Sequence, residues 1–212
     1  MSKILLIGNG GHCESIIDSL LELEEYSEIG LVAKSKDTIS NNRIKCVGTD
    51  DDLEYLFNSG WSNAFVSVGS VGNTIIRRRL YETIKKIGYI VPNIIDKSAI
   101  LSNNIKIGEG IYIGKGSIIN TGVIIGNNSI INTGCVIEHN CIISDFCHIS
   151  SNSTLCGNVK INNDTHVGAG SVIKQGIVVG KNSLIGIGSV VTKDIGSNVK
   201  AYGNPCREVC SI

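Results

Sequence analysis

Four histidines are the side chains of this chain best suited to move a proton near neutral pH, and they are unevenly placed. His12 closes the run Gly8-Asn9-Gly10-Gly11-His12, His139 sits in Glu138-His139-Asn140, and His148 and His166 stand eighteen residues apart. A neutral imidazole can take a proton from an amine or hydroxyl as that group attacks an electrophile, which is general-base catalysis. Either neighbour of His139 could orient its ring. Adjacent residues of a strand point to opposite faces, however, so Glu138 need not reach the surface that His139 occupies. The glycine run has a second potential chemistry, because backbone N–H groups at a helix start can hold phosphate. A dinucleotide fingerprint is incomplete here: Cys13 stands where the third glycine belongs, and the second strand closes as Leu31-Val32-Ala33-Lys34 without an acidic residue for a ribose. A smaller phosphate-bearing group, such as a nucleotide-linked sugar, fits the loop; so does a tight turn that only docks strand to helix.

The elements that must position these groups are written in a six-residue period. From Ile95 to Val191 every sixth residue is Ile, Leu or Val. A helix repeats its apolar face near 3.6 residues and a strand every two, so this spacing fits neither. It fits short strands wound into triangular coils of about eighteen residues, a parallel β-helix with the aliphatic ladder inside. The residue four places after each ladder position is small or β-branched, as at Ala99, Ser117, Cys135, Ser153, Ser171 and Ser189, and suits a corner. Asn and Gly fill the turns, where positive φ costs them least. In this coil His148 and His166 stack about 4.8 Å apart. They line a ligand cleft, form a surface pair without a role, or hold a metal; no carboxylate or thiolate shares their column to support the last.

The first ninety residues follow another grammar. Lys3–Ile7 reads as a strand, 13–25 as a helix after the glycine loop, 29–33 as a strand, 51–57 as a short helix, 64–68 as a strand and 73–87 as a basic helix. That alternation predicts a small parallel sheet of about four strands ahead of the coil. Lysine plus arginine and aspartate plus glutamate both number 19, and no basic stripe invites nucleic acid or an anionic membrane. The apolar run Ile4–Ile7 is too short for a signal peptide or a membrane span, so a cytoplasmic protein with a small-molecule partner is expected. Eight cysteines include no Cys-x-x-Cys pair; Cys135, Cys141 and Cys147 fall on corner positions and read as reduced, buried small residues.

The glycine start, the junction Asn93-Ile94-Ile95-Asp96-Lys97-Ser98-Ala99-Ile100-Leu101-Ser102, the segments Val136-Ile137-Glu138-His139-Asn140-Cys141, Asp145-Phe146-Cys147-His148 and Cys156-Gly157-Asn158-Val159, and the closing Gly203-Asn204-Pro205 together resemble the NeuD/PglD-type sugar acetyltransferases. The resemblance covers essentially the whole chain. It implies an α/β Rossmann-like domain with a small parallel sheet over 1–93, which binds the acceptor or nucleotide sugar. It implies a left-handed parallel β-helix of hexapeptide repeats over 94–212 as the acyltransferase domain. Homotrimers that hold acetyl-CoA between neighbouring β-helices follow from it, with no metal. Members acetylate the amino group of a nucleotide-linked 4-amino-dideoxy sugar or a hydroxyl of a sialic acid; the amino sugar, in surface-glycan biosynthesis, is the expectation here.

By position the resemblance makes His139 the general base and gives Gly157, one coil later, a backbone N–H for the oxyanion. It counts Glu138, Asn140 and Asn132 in the catalytic group. It places His148, Gly157, His166, Ala169, Gly170, Gly186 and Gly188 along acetyl-CoA, and Gly8, Gly10, Gly11, His12 and Gly69 at the acceptor. Two departures stand out. Asn140 occupies the place of an acidic residue that orients the base, and Val32-Ala33-Lys34 lacks the acidic residues that relatives often set near a nucleotide base. The rival reading is a non-catalytic β-helix scaffold. Outward Ile118, Ile124, Ile130 and Ile142 are expected to be exposed on a single chain and to form the contacts of a trimer.

Overall fold

The computed structural model describes residues 2–34 and 43–212. Its first unit is built on β1 (Lys3–Ile7), which pairs in parallel with β2 (Glu28–Val32) and with β4 (Asn63–Val66); β3 (Cys46–Gly48) joins the far side of β2, giving the order β3-β2-β1-β4. Ile4 to Ile7 are all buried, the run of apolar residues that a parallel sheet with both faces covered requires. The strand β3 is missing from the sequence reading because three residues carry no visible alternation. Helix α1 (Gly11–Leu23) turns Ile16, Ile17 and Leu20 inward. Before α2 (Leu53–Asn58) runs a single 3₁₀ turn, opened by Thr49, whose N–H and hydroxyl both donate to the Asp52 carboxylate at 2.8 and 3.1 Å. Helix α3 (Ile75–Ile87) packs Leu80 and Ile84 onto Leu5, Ile7, Val66 and Tyr89.

Helix α3 starts two residues later than its sequence pattern suggests, for a physical reason. Val71–Thr74 belongs to the second compact unit with Ile95–Ile212, while Met1–Ser70 and Ile75–Ile94 form the first. The Thr74 hydroxyl donates to Asp164 Oδ1 at 2.6 Å, and Gly72 lies so close to Leu184 that a β-carbon there would stand 2.6 Å from its Cδ1.

The second unit runs through two-residue strands β5 (Ile94–Ile95) to β21 (Val190–Val191) in three parallel sheets, each residue registering with the one eighteen places on, as in Ile130↔His148 and His148↔His166. The antiparallel strands β22 (Val199–Gly203) and β23 (Cys206–Ser211) close it. Ladder residues from Ile113 to Val191 are fully buried, each worth roughly 1.5–3 kcal/mol of apolar burial. Corner residues do more than fit. Ser117, Ser129, Ser153 and Ser171 each donate a hydroxyl to the carbonyl fifteen residues later at 2.8–3.0 Å, and the thiols of Cys135, Cys141 and Cys147 do the same at 3.1–3.2 Å. The cysteines are free. Every sixth residue from Gly110 to Gly188 has positive φ, which explains the Gly and Asn at these turns.

One expectation fails here. Ile130 is only 4% exposed on the single chain, while Ile118 and Ile124 are 40% and 41% exposed and Ile142 is half-buried. Ile130 shares its outward column with Tyr112, His148 and His166, all buried as well, so that face is already covered. The open apolar column is another one: Ile100, Ile118, Val136, Thr154, Val172 and Val190 register along the sheet of β6, β9, β12, β15, β18 and β21.

Candidate active site

His139 sits in the turn after β12 (Val136–Ile137), half-buried, with its carbonyl taking the Asn158 N–H at 2.9 Å. The coil brings Gly157 against the ring. A β-carbon on Gly157 would lie 2.5 Å from both Cε1 and Nε2, so only glycine leaves the imidazole where it is. Among the described residues the Gly157 N–H has no backbone acceptor. Glu138 does not serve the ring: its Oε2 accepts the Asn120 amide one coil back at 3.0 Å. Asn140 does, with Nδ2 3.2 Å from His139 Nδ1.

A second group gathers on the sheet of β14 (His148–Ile149), β17 (His166–Val167) and β20 (Leu184–Ile185). The His148 and His166 rings meet edge to face with centroids 4.8 Å apart, the stacking that the eighteen-residue spacing predicts. Asn132 Oδ1 accepts the Thr133 N–H at 2.8 Å, which turns Nδ2 toward His148 Nε2 at 3.4 Å, so the neutral ring carries its proton on Nδ1. Ser150 Oγ lies 3.3 Å from His166 Nε2. These histidines, Ala169 and Gly186 line one cavity of about 590 Å³, along with Val71, Ser150, Ile187, Lys200 and Tyr202. Gly170 and Gly188 are not in the lining. Both are turn residues with φ +66 and open space at the β-carbon. Sequence reasoning missed Ser150, although it lies eighteen residues after Asn132; Lys200 and Tyr202 lie beyond the repeat, where no spacing marks them.

In the first unit Gly8, Gly10, Gly11, His12 and Gly69 converge on a cavity of about 410 Å³, which Lys34, Asp50, Ser67 and Arg79 also line. Gly8 has φ +116, and a β-carbon there would stand 2.6 Å from Val68 Cγ2, so this glycine makes the turn. Gly10 and Gly11 meet nothing; they keep the start of α1 open, with no side chain capping it. The His12 Nε2 is buried, and desolvation, then the nearby Arg77 charge, push its pKa down to about 4. It is a neutral ring at physiological pH. Arg79 and Asp50 form a loose ion pair at 3.8 Å on the rim. No set of three His, Cys, Asp or Glu among the described residues could hold a metal.

Residues 3–84 match the PglD N-terminal domain, 140–175 the bacterial transferase hexapeptide, and 104–139 and 158–193 the hexapeptide repeat of succinyl-transferase. Among curated proteins no sequence match is found. A variant of perosamine N-acetyltransferase from Caulobacter crescentus, solved with CoA and GDP-perosamine, superposes with a TM-score of 0.93 at 30% identity over 100% of this chain and 98% of that one. The acetyltransferase domain of PglB from Neisseria gonorrhoeae FA1090, solved with acetyl coenzyme A, gives 0.91 at 28% identity over 98% of both chains. WeeI from Acinetobacter baumannii AYE shares the fold, at 19% identity and 0.78 over 98% of this chain and all of that one. With 30% identity held along the full length, the chain belongs to the NeuD/PglD-type sugar acetyltransferases, acyltransferases built from a Rossmann-like domain and a left-handed β-helix of hexapeptide repeats.

Proposed function

We propose that the protein transfers the acetyl group of acetyl-CoA directly to the amino group of a nucleotide-linked 4-amino-dideoxy sugar, with His139 as general base. The observation that carries this is the packing of the His139 ring on Gly157, a residue whose N–H has no backbone acceptor among the described residues. His139 takes the proton as the amine attacks the thioester carbonyl, and the oxyanion is stabilised by the Gly157 N–H. When the tetrahedral intermediate collapses, the C–S bond breaks and CoA leaves as its thiol, with the proton returned by the imidazolium. An acetyl-cysteine route is disfavoured because burial pushes the Cys141 thiol up to about 11, leaving it protonated.

In this reading the cavity of His148, His166, Ala169 and Gly186 takes acetyl-CoA, and the glycine cavity of residues 1–93 takes the nucleotide sugar; residues 94–212 carry out the transfer. The perosamine enzyme, crystallised with CoA and GDP-perosamine, supports that pairing of ligands. His139 stands at the corner after β12 while the cofactor cavity lies on the sheet of β14, β17 and β20. One copy's corner set against a neighbour's cavity joins them, and the apolar column from Ile100 to Val190 offers the contact, so a cytoplasmic homotrimer is the working form. Among the described residues no helix is long and apolar enough to cross a membrane. The test is release of free CoA thiol from acetyl-CoA against a panel of nucleotide amino sugars and sialic acids. Turnover with an amino sugar is expected, and turnover only with sialic acids would overturn the acceptor class.

A further inference from the structure

We infer that the stretch from Ser67 to Ile76 is a strap that couples the two ligand cavities, so that a nucleotide held by the first unit tightens the grip of the second on acetyl-CoA. This rests on the ligand assignment proposed above. Chain order is the starting observation. Ser67, Val68 and Gly69 line the glycine cavity, Val71 lines the cofactor cavity two residues later, and Ile76 and Arg79 line the glycine cavity again. One short backbone therefore serves both ligands.

The strap is held at its ends and bare in between. At its start the Ser67 N–H donates to Ile7 O and the Ser67 hydroxyl to Gly8 O, both at 2.9 Å, and a β-carbon on Gly69 would stand 3.3 Å from His12 Cβ. Further on, the Thr74 hydroxyl donates to Asp164 Oδ1 at 2.6 Å. No helix or strand forms between β4 and α3. Gly72, with φ +66, sits against Leu184, which itself lines the cofactor cavity, and only a glycine allows that approach. Val71 is 75% exposed, and Ile187, which lines the same cavity from the coil, is 83% exposed. Two uncovered aliphatic side chains beside one cavity are surface that the apolar part of a ligand can bury. Of the two, Val71 alone is on the backbone that also lines the glycine cavity.

A segment without regular structure loses conformational freedom when a ligand orders it, and the second ligand to bind then orders less. A nucleotide that settles against Val68 and Gly69 fixes the chain that carries Val71 two residues on. Acetyl-CoA then meets Val71 already in place. By linkage the cofactor favours the nucleotide by the same factor. Such coupling suits acyl transfer, because the thioester is held most firmly when an acceptor is present.

Isothermal titration of CoA, alone and with saturating UDP, GDP or dTDP, reads the coupling without turnover. The diphosphate that binds should raise CoA affinity about 5-fold, and CoA should raise its affinity by the same factor. Val71→Ser should weaken CoA and bring the ratio to about one, with the nucleotide's own affinity kept. Thr74→Val, which removes the bond to Asp164, should lower the ratio in the same direction with both single-ligand affinities kept. Ile187→Ser is the control, since it should weaken CoA and keep the ratio. Val71 and Ile187 are exposed, so their variants fold, and unchanged circular dichroism checks this. A wild type in which a diphosphate binds without changing CoA affinity, a Val71→Ser or Thr74→Val protein that keeps the full ratio, or equal loss of the ratio in Val71→Ser and Ile187→Ser would overturn the inference. The ligand assignment fails in a different way, by no binding of CoA or of any of the diphosphates, and the coupling falls with it.

Discussion

His12 and His139 are handled in opposite ways by the two units that carry them. His12 is held inside a cavity wall, where burial and the Arg77 charge keep its ring neutral. His139 stands half-buried at a corner of the coil, with its Nδ1 3.2 Å from the Asn140 amide nitrogen and its Nε2 edge against Gly157. The first arrangement suits a group that must recognise a ligand without changing charge, since desolvation raises the cost of protonation. The second suits a group that must take a proton and give it back. A repeat adds something the first unit lacks: the surroundings of each site residue recur at the same place eighteen residues away, so the structure supplies its own matched controls.

The sharpest way to break this comparison is to remove the corner imidazole. His139→Ala should lower kcat by roughly 10²–10⁴ with acetyl-CoA affinity nearly intact, because the loss is of proton transfer and the ring is not assigned to the cofactor. A turnover assay with isothermal titration of acetyl-CoA checks both halves. Gly157→Ala should follow with a loss of about 10²-fold at unchanged fold, since a β-carbon 2.5 Å from Nε2 must push the ring off its position by a fraction of an ångström or more. Wild-type kcat in that variant would mean that the contact between ring and glycine has no catalytic meaning.

Much of the coil is legible in the sequence because repetition amplifies a weak signal. One isoleucine says little, but an unbroken ladder from Ile95 to Val191 fixes the winding, and the winding places His148 on His166 and Gly157 on His139. What escaped reading has no periodic signature. Cys46–Gly48 is too short to alternate, and Val71–Thr74 leaves its own unit through contacts with Leu184 and Asp164 that no local pattern encodes. The burial of Ile130 escapes the pattern because an outward position in a repeat says which way a side chain points and not what covers it. Corner serines and cysteines looked merely small, although their hydroxyls and thiols satisfy turn carbonyls fifteen residues on. The Asn140 substitution was visible; its contact with the ring and with Gly122 needed coordinates.

The charge state of His12 can be tested through stability. Its folded pKa of about 4 lies below the ordinary value of 6.5, so below pH 6.5 the unfolded chain binds a proton that the folded chain refuses. Stability then rises with pH through this window and falls as pH drops toward 4. By pH 5 the loss from this one group is about 2 kcal/mol. His12→Asn should remove that share of the acid sensitivity, seen as a flatter dependence of the urea midpoint on pH between 7 and 5. Parallel curves for variant and wild type would show that the ring is not kept neutral.

The smallest expected effect belongs to the outer face of the coil. Ile118 is 40% exposed on one chain and sits in the β-branched column that runs from Ile100 to Val190. Burying what remains of such a side chain is worth about 1 kcal/mol per copy, and an aspartate in its place adds a carboxylate that the interface would have to desolvate. Ile118→Asp should therefore leave the folded coil intact, since the side chain points away from the ladder, while it shifts the assembly toward smaller species at micromolar concentration. Light scattering across a dilution series reads this directly. Because the proposed site needs one copy's His139 beside a neighbour's cavity, activity per mole should fall in step with the trimer. A variant that dissociates and keeps full activity would place the whole reaction on a single chain.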